Sequence, residues 1–432
     1  MKDIIVFCLL LVAVPAFLFA QIGWTEHIVN TNFGFASWVY AIDLDGDNDT
    51  DILGTAYDDD DVAWWENDGN QNFTKHTIAG NFDGAYCVHA VDVDGDTDID
   101  VIGAATVDSL VAWWENDGNE NFTYHALAPI LPSAISCYGV DVEPDGDVDI
   151  VGSGYWSGDI FWWENDGNEN FTYDTVGFGL IGAWAVNPCD LDGDTDIDVI
   201  GIGAYVNSIR WWENDGNENF TERVVLNGFN GARAVYAVDV DGDTDVDVIG
   251  AAQTMNRLSW FRNDGNENFS ELIIDNNLVS ASAVYAVDLD NDTDIDVIGA
   301  ALQGNEFAWY ENDGLENFTK HVIASNDTGA TAVYAADVDT DGDLDVLGAA
   351  AGSDEIIWWE SDVVGIAEGE GNIVTSESFL PTVITGQIQL PDDKTYKLFD
   401  ITGREVTPDN LKPGVYFIEI EGRITQKIIK IR

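Results

Sequence analysis

The 432-residue chain carries 16 Lys and Arg against 80 Asp and Glu, a formal charge of −64. Such a surface repels the phosphates of nucleic acids and anionic lipid, so partners of those classes are excluded. Hydrophobic residues make up 46% and Trp numbers 16, which places the acids on a packed globular protein and not on a solvated acidic tail.

In chain order, Met1-Lys2 precedes an apolar run from Ile4 to Phe19 that ends at Ala20-Gln21. A basic start, a short apolar core and a small residue read as a secretory signal peptide over 1–20, cut after Ala20. The other reading of this run is a membrane anchor. No later segment is long and apolar enough to span a bilayer as a helix.

From 21 to 361 the chain repeats with a period of 49 residues. Acidic loops start at Asp43, Asp92, Asp141, Asp190, Asp239, Asp288 and Asp337. A constant period of this length marks stacked supersecondary units that bury their faces only against neighbours. Repeat five shows the plan. Ala234–Val238 leads into the loop Asp239–Asp247, followed by Val248–Ala252, a tip Gln253–Arg257, Leu258–Phe261, the turn Asn263-Asp264-Gly265-Asn266, and Phe269–Ile274. These are four β-rich runs bounded by Gly, Asn and Asp, with no helical periodicity. Four-stranded units repeated radially predict an all-β, seven-bladed β-propeller.

Aromatic pairs recur in the third run: Trp64-Trp65, Trp113-Trp114, Trp162-Trp163, Trp211-Trp212, Trp260-Phe261, Trp309-Tyr310 and Trp358-Trp359. Adjacent strand residues face opposite ways, so both faces of each blade must be covered. The seventh repeat stops at Ser361 without a fourth run. The missing copy, Trp24-Thr25-Glu26-His27-Ile28, stands 49 residues before Phe73. The N-terminal strand is therefore expected to close blade seven. His27, His76, His125 and His321 share this fourth-run position on separate blades and do not predict a common metal site. Cys87, Cys137 and Cys189 fall at different repeat positions and read as buried free thiols, with Cys8 in the signal.

Acids at alternate positions repel one another unless a cation sits among them, and calcium takes six to eight such oxygens. The candidate ligands are Asp43, Asp45, Asp47, Asp49 and Asp51; Asp92, Asp94, Asp96, Asp98 and Asp100; Asp141, Glu143, Asp145, Asp147 and Asp149; Asp190, Asp192, Asp194, Asp196 and Asp198; Asp239, Asp241, Asp243, Asp245 and Asp247; Asp288, Asp290, Asp292, Asp294 and Asp296; and Asp337, Asp339, Asp341, Asp343 and Asp345. The absence of His and Cys from the loops argues against a softer metal. Residues 22–361 resemble FG-GAP or VCBS-type repeats, the calcium-binding blades of integrin-like and bacterial surface propellers. The resemblance implies about seven calcium ions, with side-chain ligands at loop positions 1, 3, 5 and 9 and a backbone carbonyl at position 7. Glycine at position 6, common in the family, stands here only at Gly146 and Gly342. Loop three departs further, with Glu143 at position 3 and Pro144 at position 4.

After a linker over 362–372, residues 373–432 change character: residues 394 to 432 hold eight of the 16 Lys and Arg. Strand-like runs predict a small β-sandwich. Asp400-Ile401-Thr402-Gly403-Arg404, Leu411-Lys412-Pro413-Gly414-Val415-Tyr416-Phe417 and Lys427-Ile428-Ile429-Lys430-Ile431-Arg432 resemble the C-terminal sorting domain of type IX secretion substrates. That resemblance implies export across a bacterial outer membrane, through the type IX machinery, to the medium or the cell surface.

No nucleophile, His and acid set recurs or clusters. The leading expectation is a non-catalytic, calcium-stabilised binding propeller whose partner is a glycan or a surface protein. A propeller enzyme acting on extracellular polysaccharide and a structural surface-layer component remain the alternatives. The acidic loops and the Asn-Asp-Gly turns share one end of the ring; the tips between second and third strands share the other with the blade connections. The tips differ from repeat to repeat, and differing loops on a rigid scaffold are where specificity resides. Tyr155, Trp156 and Tyr205, from adjacent blades, are the candidate ligand-binding residues.

Overall fold

The computed structural model describes residues 22–363 and, beyond them, the strands Thr382–Ile384, Tyr396–Asp400, Glu405–Val406, Gly414–Ile420 and Arg423–Lys430. The signal-peptide assignment for 1–20 lies outside the described residues. Two compact units divide near residue 366.

The first unit is a ring of seven four-stranded antiparallel sheets. In blade one the strands Ala36–Ile42, Asp51–Ala56, Asp61–Asn67 and Phe73–Ala79 pair in chain order. Blades two to six repeat that order, and no helix occurs among the described residues. Blade seven takes three strands from Ala330–Ala336, Asp345–Ala350 and Glu355–Val363. Its outer strand is Ile22–Asn30, antiparallel to Glu355–Val363, with Trp24 opposite Ser361 and His27 opposite Trp358. The expected closure is the one found. It satisfies an edge that would otherwise offer a row of unpaired amides and carbonyls.

Burial follows strand position. All six residues of each second strand are buried, as in Asp51–Ala56, because both faces meet neighbouring blades. The outer strands alternate between exposed and half-buried residues. The paired aromatics serve both neighbours at once. Trp64 packs with Val88 and Val101 of blade two, and Trp65 packs with Ile356 and Leu347 of blade seven. Side chains of this size, buried to within 2% of complete, each stabilise by about 3–5 kcal/mol relative to alanine. The glycine of each second strand makes room for them: a Cβ at Gly103 would lie 2.8 Å from the Trp114 ring.

On the outer strands, His27, His76, His125 and His321 stack on Trp358, Trp64, Trp113 and Trp309, with ring centroids 4.3–4.8 Å apart. Each also meets a glutamate of the third strand at 2.7–2.9 Å. These are strand-to-strand contacts within single blades. Cys87 and Cys137 are buried free thiols, and Cys189 is free and half-buried.

The second unit contains one five-stranded sheet. Arg423–Lys430 lies between the parallel Thr382–Ile384 and the antiparallel Gly414–Ile420, which continues to Tyr396–Asp400 and Glu405–Val406. Strand-like runs read from sequence overlap four of these strands, and Thr382–Ile384 is not among them. The described residues of 373–432 form this single sheet, and the rest of the expected sandwich lies outside the described residues. No helix among the described residues is long and apolar enough to cross a membrane.

Candidate functional site

The acidic loops occupy the turns between first and second strands. Loop one is held together by its own amides. Asp43 accepts from the backbone N–H groups of Gly46, Asp47 and Asn48, and Asp47 accepts from Asp49. To present those amides the backbone turns left-handed at positions 4 and 6, with φ of 78° at Gly46 and 76° at Asn48. Thr97, Thr195, Thr244 and Thr293 adopt φ between 80° and 86° at position 6, a conformation that is costly for a β-branched residue.

The five acids of a loop do three different things. Position 9 is a brace. Asp51 is fully buried, and its two oxygens accept from Leu44 N at 2.9 Å and Asn67 N at 2.8 Å. The same pair of bonds recurs at Asp100, Asp149, Asp198, Asp247, Asp296 and Asp345. Position 7 turns toward the neighbouring hairpin: a Cβ at Gly69 would collide with the Asp49 carboxylate, as it would at Gly118 with Asp98. That contact explains why an Asn-Asp-Gly turn accompanies each of the first six acidic loops. Positions 1 and 3 converge. Asp43, Asp45 and Asp51 each bring one carboxylate oxygen within 4.8 Å of the others, as do Asp92, Asp94 and Asp96, and Asp190, Asp192 and Asp194.

A cation with oxygens at about 2.3–2.6 Å spans that distance, so these residues fit calcium. Buried oxygens without a partner point the same way: Oδ1 of Asp141, Asp241 and Asp337 and Oε2 of Glu143. Burial pushes the metal-free carboxyls up. Asp51, Asp100, Asp198 and Asp345 rise to about 7 and Asp296 to about 8, offset in part by the amide donors and reinforced by neighbouring acids. Loop three keeps the position-9 brace despite Glu143. The longer side chain reaches Asp149, and burial and that contact raise Glu143 to about 8. Loop five differs in another way: Arg262 stands where most blades have Glu, and its Nε lies 2.7 Å from Asp241.

The other end of the ring carries a different surface. All seven innermost strands have a β-bulge at their start, since Ala36 pairs with Ala56 but Trp38 with Thr55. A bulge re-aims the extra residue. These residues are Ser37, Tyr86, Ile135, Trp184, Arg233, Ser282 and Thr331, and all of them except Ile135 line the mouth of the central channel. Below them Tyr40, His89, Tyr138, Tyr236, Tyr285 and Tyr334 form the next inward-facing level. Neighbouring rings there approach to 4.7–5.0 Å, which narrows the channel. Burial holds the His89 imidazole down at about 4, so it is neutral at physiological pH.

Tyr155, Trp156 and Tyr205 meet above this mouth. Trp156 and Tyr205 stack at 5.9 Å with planes 19° apart, and the Tyr155 and Tyr205 hydroxyls lie 3.1 Å apart. Trp156 and Tyr205 remain 61% and 55% exposed. Tyr155 rests edge-on against Trp184 at 4.9 Å, and the Arg233 guanidinium lies over the Trp184 ring at 4.2 Å. Tyr155, Trp184, Tyr205, Asn207, Asn230, Arg233, Gln253 and Thr254 line a cleft of about 480 Å³. The tips are pinned to the next blade connection. Asn207 Oδ1 accepts from Gly231 N and Asn256 Oδ1 from Ser280 N, with both asparagines left-handed. Sequence reading found the three exposed aromatics and missed Tyr86, Trp184 and Arg233. The signal was there, as large side chains at a position that is Ser or Thr in three other repeats. Without the bulge, nothing tied that position to the tips.

The FG-GAP-like repeat family matches residues 43–103, 190–250, 239–299 and 288–348, about half of the chain. Each match runs from position 1 of one acidic loop to the strand beyond the next. The chain belongs to the FG-GAP-like repeat family. No match begins at Asp141, the FG-GAP-like loop with Glu143 and Pro144. Among solved structures, the FG-GAP-like ring is similar to virginiamycin B lyase from Staphylococcus aureus at 12% identity. That alignment covers 78% of this chain and 99% of that one, with a TM-score of 0.57. BBS1N, solved in complex with ARL6DN, aligns at 14% identity over 78% and 96% of the two chains, with a TM-score of 0.56. An Agrocybe aegerita lectin that recognises non-reducing terminal N-acetylglucosamine aligns at 20% identity over 67% and 80%, with a TM-score of 0.47. Likeness at these identities bears on the fold alone. No curated protein matches the chain.

Proposed function

We propose that the FG-GAP-like ring is a calcium-stabilised, non-catalytic binding propeller that takes a glycan in the cleft formed by Tyr155, Trp184, Tyr205 and Arg233. The observation that carries this reading is the exposed, pre-stacked pair Trp156–Tyr205 at the rim of a cleft with amide and hydroxyl donors. Aromatic faces beside a few convergent polar groups suit a ligand that is apolar on its ring faces and polar at its edges. The hydrogen-bonded tips keep the platform rigid, which lowers the ordering cost of binding.

Glycan-array binding of the mature protein is expected, and Trp156→Ala is expected to weaken it at least tenfold while leaving the melting temperature within about 2 °C, since the side chain is mostly exposed. Turnover of a bound glycan would favour the enzyme alternative; a blank array with an intact fold would favour a structural surface-layer role.

Export is part of the same proposal. Residues 1–20 direct secretion and residues 373–432 engage the type IX machinery, placing the propeller outside the cell or on its surface. N-terminal sequencing of the exported protein is expected to begin at Gln21. Export undiminished after removal of residues 373–432 would overturn the sorting role.

A further inference from the structure

The propeller residues contain seven Lys and Arg, and six are paired with acids: Lys75 with Asp61, Arg210 with Glu222, Arg223 with Glu213, Arg257 with Glu271, Arg262 with Asp241 and Lys320 with Asp275. Among the described residues, Arg233 has no carboxylate within ion-pair distance. It is also 6% exposed, the most buried cation of the ring. Its Nη2 meets the Tyr86 hydroxyl at 3.3 Å, while its Nε is buried without a hydrogen-bond partner. A buried guanidinium needs compensation, and one cation–π contact with Trp184 supplies only part of it.

The surroundings are as unusual as the residue. The chain has 80 acids, yet neither the mouth cavity nor the adjoining cleft is lined by a single Asp or Glu. Both are lined by Arg233. An acid-free concavity around an unpaired cation, on a protein of charge −64, selects for a negative ligand group at that one place. Arg binds carboxylates through a planar fork of donors. The exposed Trp156–Tyr205 stack at the rim then supplies a face for a sugar ring.

We propose that the cleft recognises an acidic saccharide, a hexuronic-acid-containing oligosaccharide whose carboxylate reaches Arg233 between Trp184 and Tyr86. This rests on the glycan reading above and narrows it to a ligand class. The guanidinium donors that face the cleft and are not taken by Tyr86 donate to the carboxylate, the Asn230 and Gln253 amides lie within the same cleft for the ring hydroxyls, and the aromatic rim holds the adjacent unit.

Calorimetric titration of the full mature chain with oligogalacturonate, and with the same oligosaccharide carboxyl-reduced to its neutral form, tests the assignment. Reduction of the ligand is expected to weaken binding at least tenfold, with no change to the protein. Arg233→Gln is expected to remove most of that preference, and Arg233→Lys to keep a fraction of it. Because Arg233 is buried, melting curves of both variants accompany the titrations, and the reduced ligand provides the comparison if either fails to fold. Equal binding of the acidic and neutral forms, still lost in Trp156→Ala, would overturn the acidic assignment and leave the glycan reading standing. Binding of neither oligogalacturonate nor its reduced form, with neutral glycans captured on an array through Trp156, would do the same. Absence of any glycan binding would overturn both.

Discussion

In excess chelator the propeller is expected to lose much of its thermal stability. Carboxylates converge in the loops that begin at Asp43, Asp92 and Asp190, the position-9 brace recurs in all seven, and one calcium ion is proposed for each loop. A site with a dissociation constant of ~0.1 mM contributes roughly 1.4 kcal/mol at ~1 mM calcium. Seven such sites contribute on the order of 10 kcal/mol, comparable to the net stability of a whole domain. Differential scanning calorimetry with and without chelator, alongside elemental analysis, measures this. Identical melting curves and no bound calcium would overturn the metal assignment.

The pH dependence of the chelated protein has a defined sign. The position-9 acids are all raised when buried without metal, Asp51, Asp100, Asp198 and Asp345 to about 7, above the ordinary Asp value near 4. For an acid whose folded pKa is raised, the folded state binds the extra proton between the two values. Its contribution is therefore fully present below about pH 4 and lost as the pH rises to about 7. Chelated protein should melt at lower temperature at pH 7 than at pH 5, the reverse of most carboxylate pairs. Two substitutions separate ligation from bracing. Asp94→Ala, at position 3, should lower stability only when calcium is present. Asp100→Ala strands the buried amides of Val93 and Asn116 and should cost stability in either condition.

Deleting Ile22–Asn30 is expected to open the ring. The strand pairs along its length with Glu355–Val363, and His27 covers Trp358 at 4.3 Å. Its loss exposes an unpaired edge and the outer side of a buried Trp, a combination that favours edge-to-edge association. A destabilisation of roughly 5 kcal/mol corresponds to a melting-temperature loss on the order of 10 °C. Light scattering should report oligomers at concentrations where the intact ring is monodisperse. The peptide Ile22–Asn30 added in trans should reverse both changes. A truncated chain that stays monomeric and melts unchanged would show that closure does not depend on this strand.

Both results rest on features legible in the chain itself. The 49-residue period, the four runs per repeat and the aromatic pairs state the blade number, strand order and two-sided burial, because each blade contacts only its neighbours and every copy repeats the same constraints. The missing fourth run after Ser361, with its copy at Trp24–Ile28, states the closure for the same reason. The division of labour within the acidic loops was not legible. Asp45, Asp49 and Asp51 are the same residue type at alternating positions, and only the folded turn shows one converging with Asp43, one resting on Gly69 and one buried beneath two amides.

The cleft divides the same way. Sequence variation at the tips picked out Tyr155, Trp156 and Tyr205, since exposed aromatics in a divergent loop stand out against uniform repeats. Trp184 and Arg233 looked like ordinary strand residues of the innermost strands. Their role depends on a β-bulge that inserts one residue into each inner strand and turns it to the channel mouth. A bulge has no signature in a strand whose neighbours in sequence are all β-formers, because its cause lies in the partner strand and in the curvature of the ring. The repeat by itself determined the scaffold, through contacts that are local and copied seven times. The tertiary structure alone decided where that symmetry breaks, because the breaking residues come from different blades and meet only when the ring is closed.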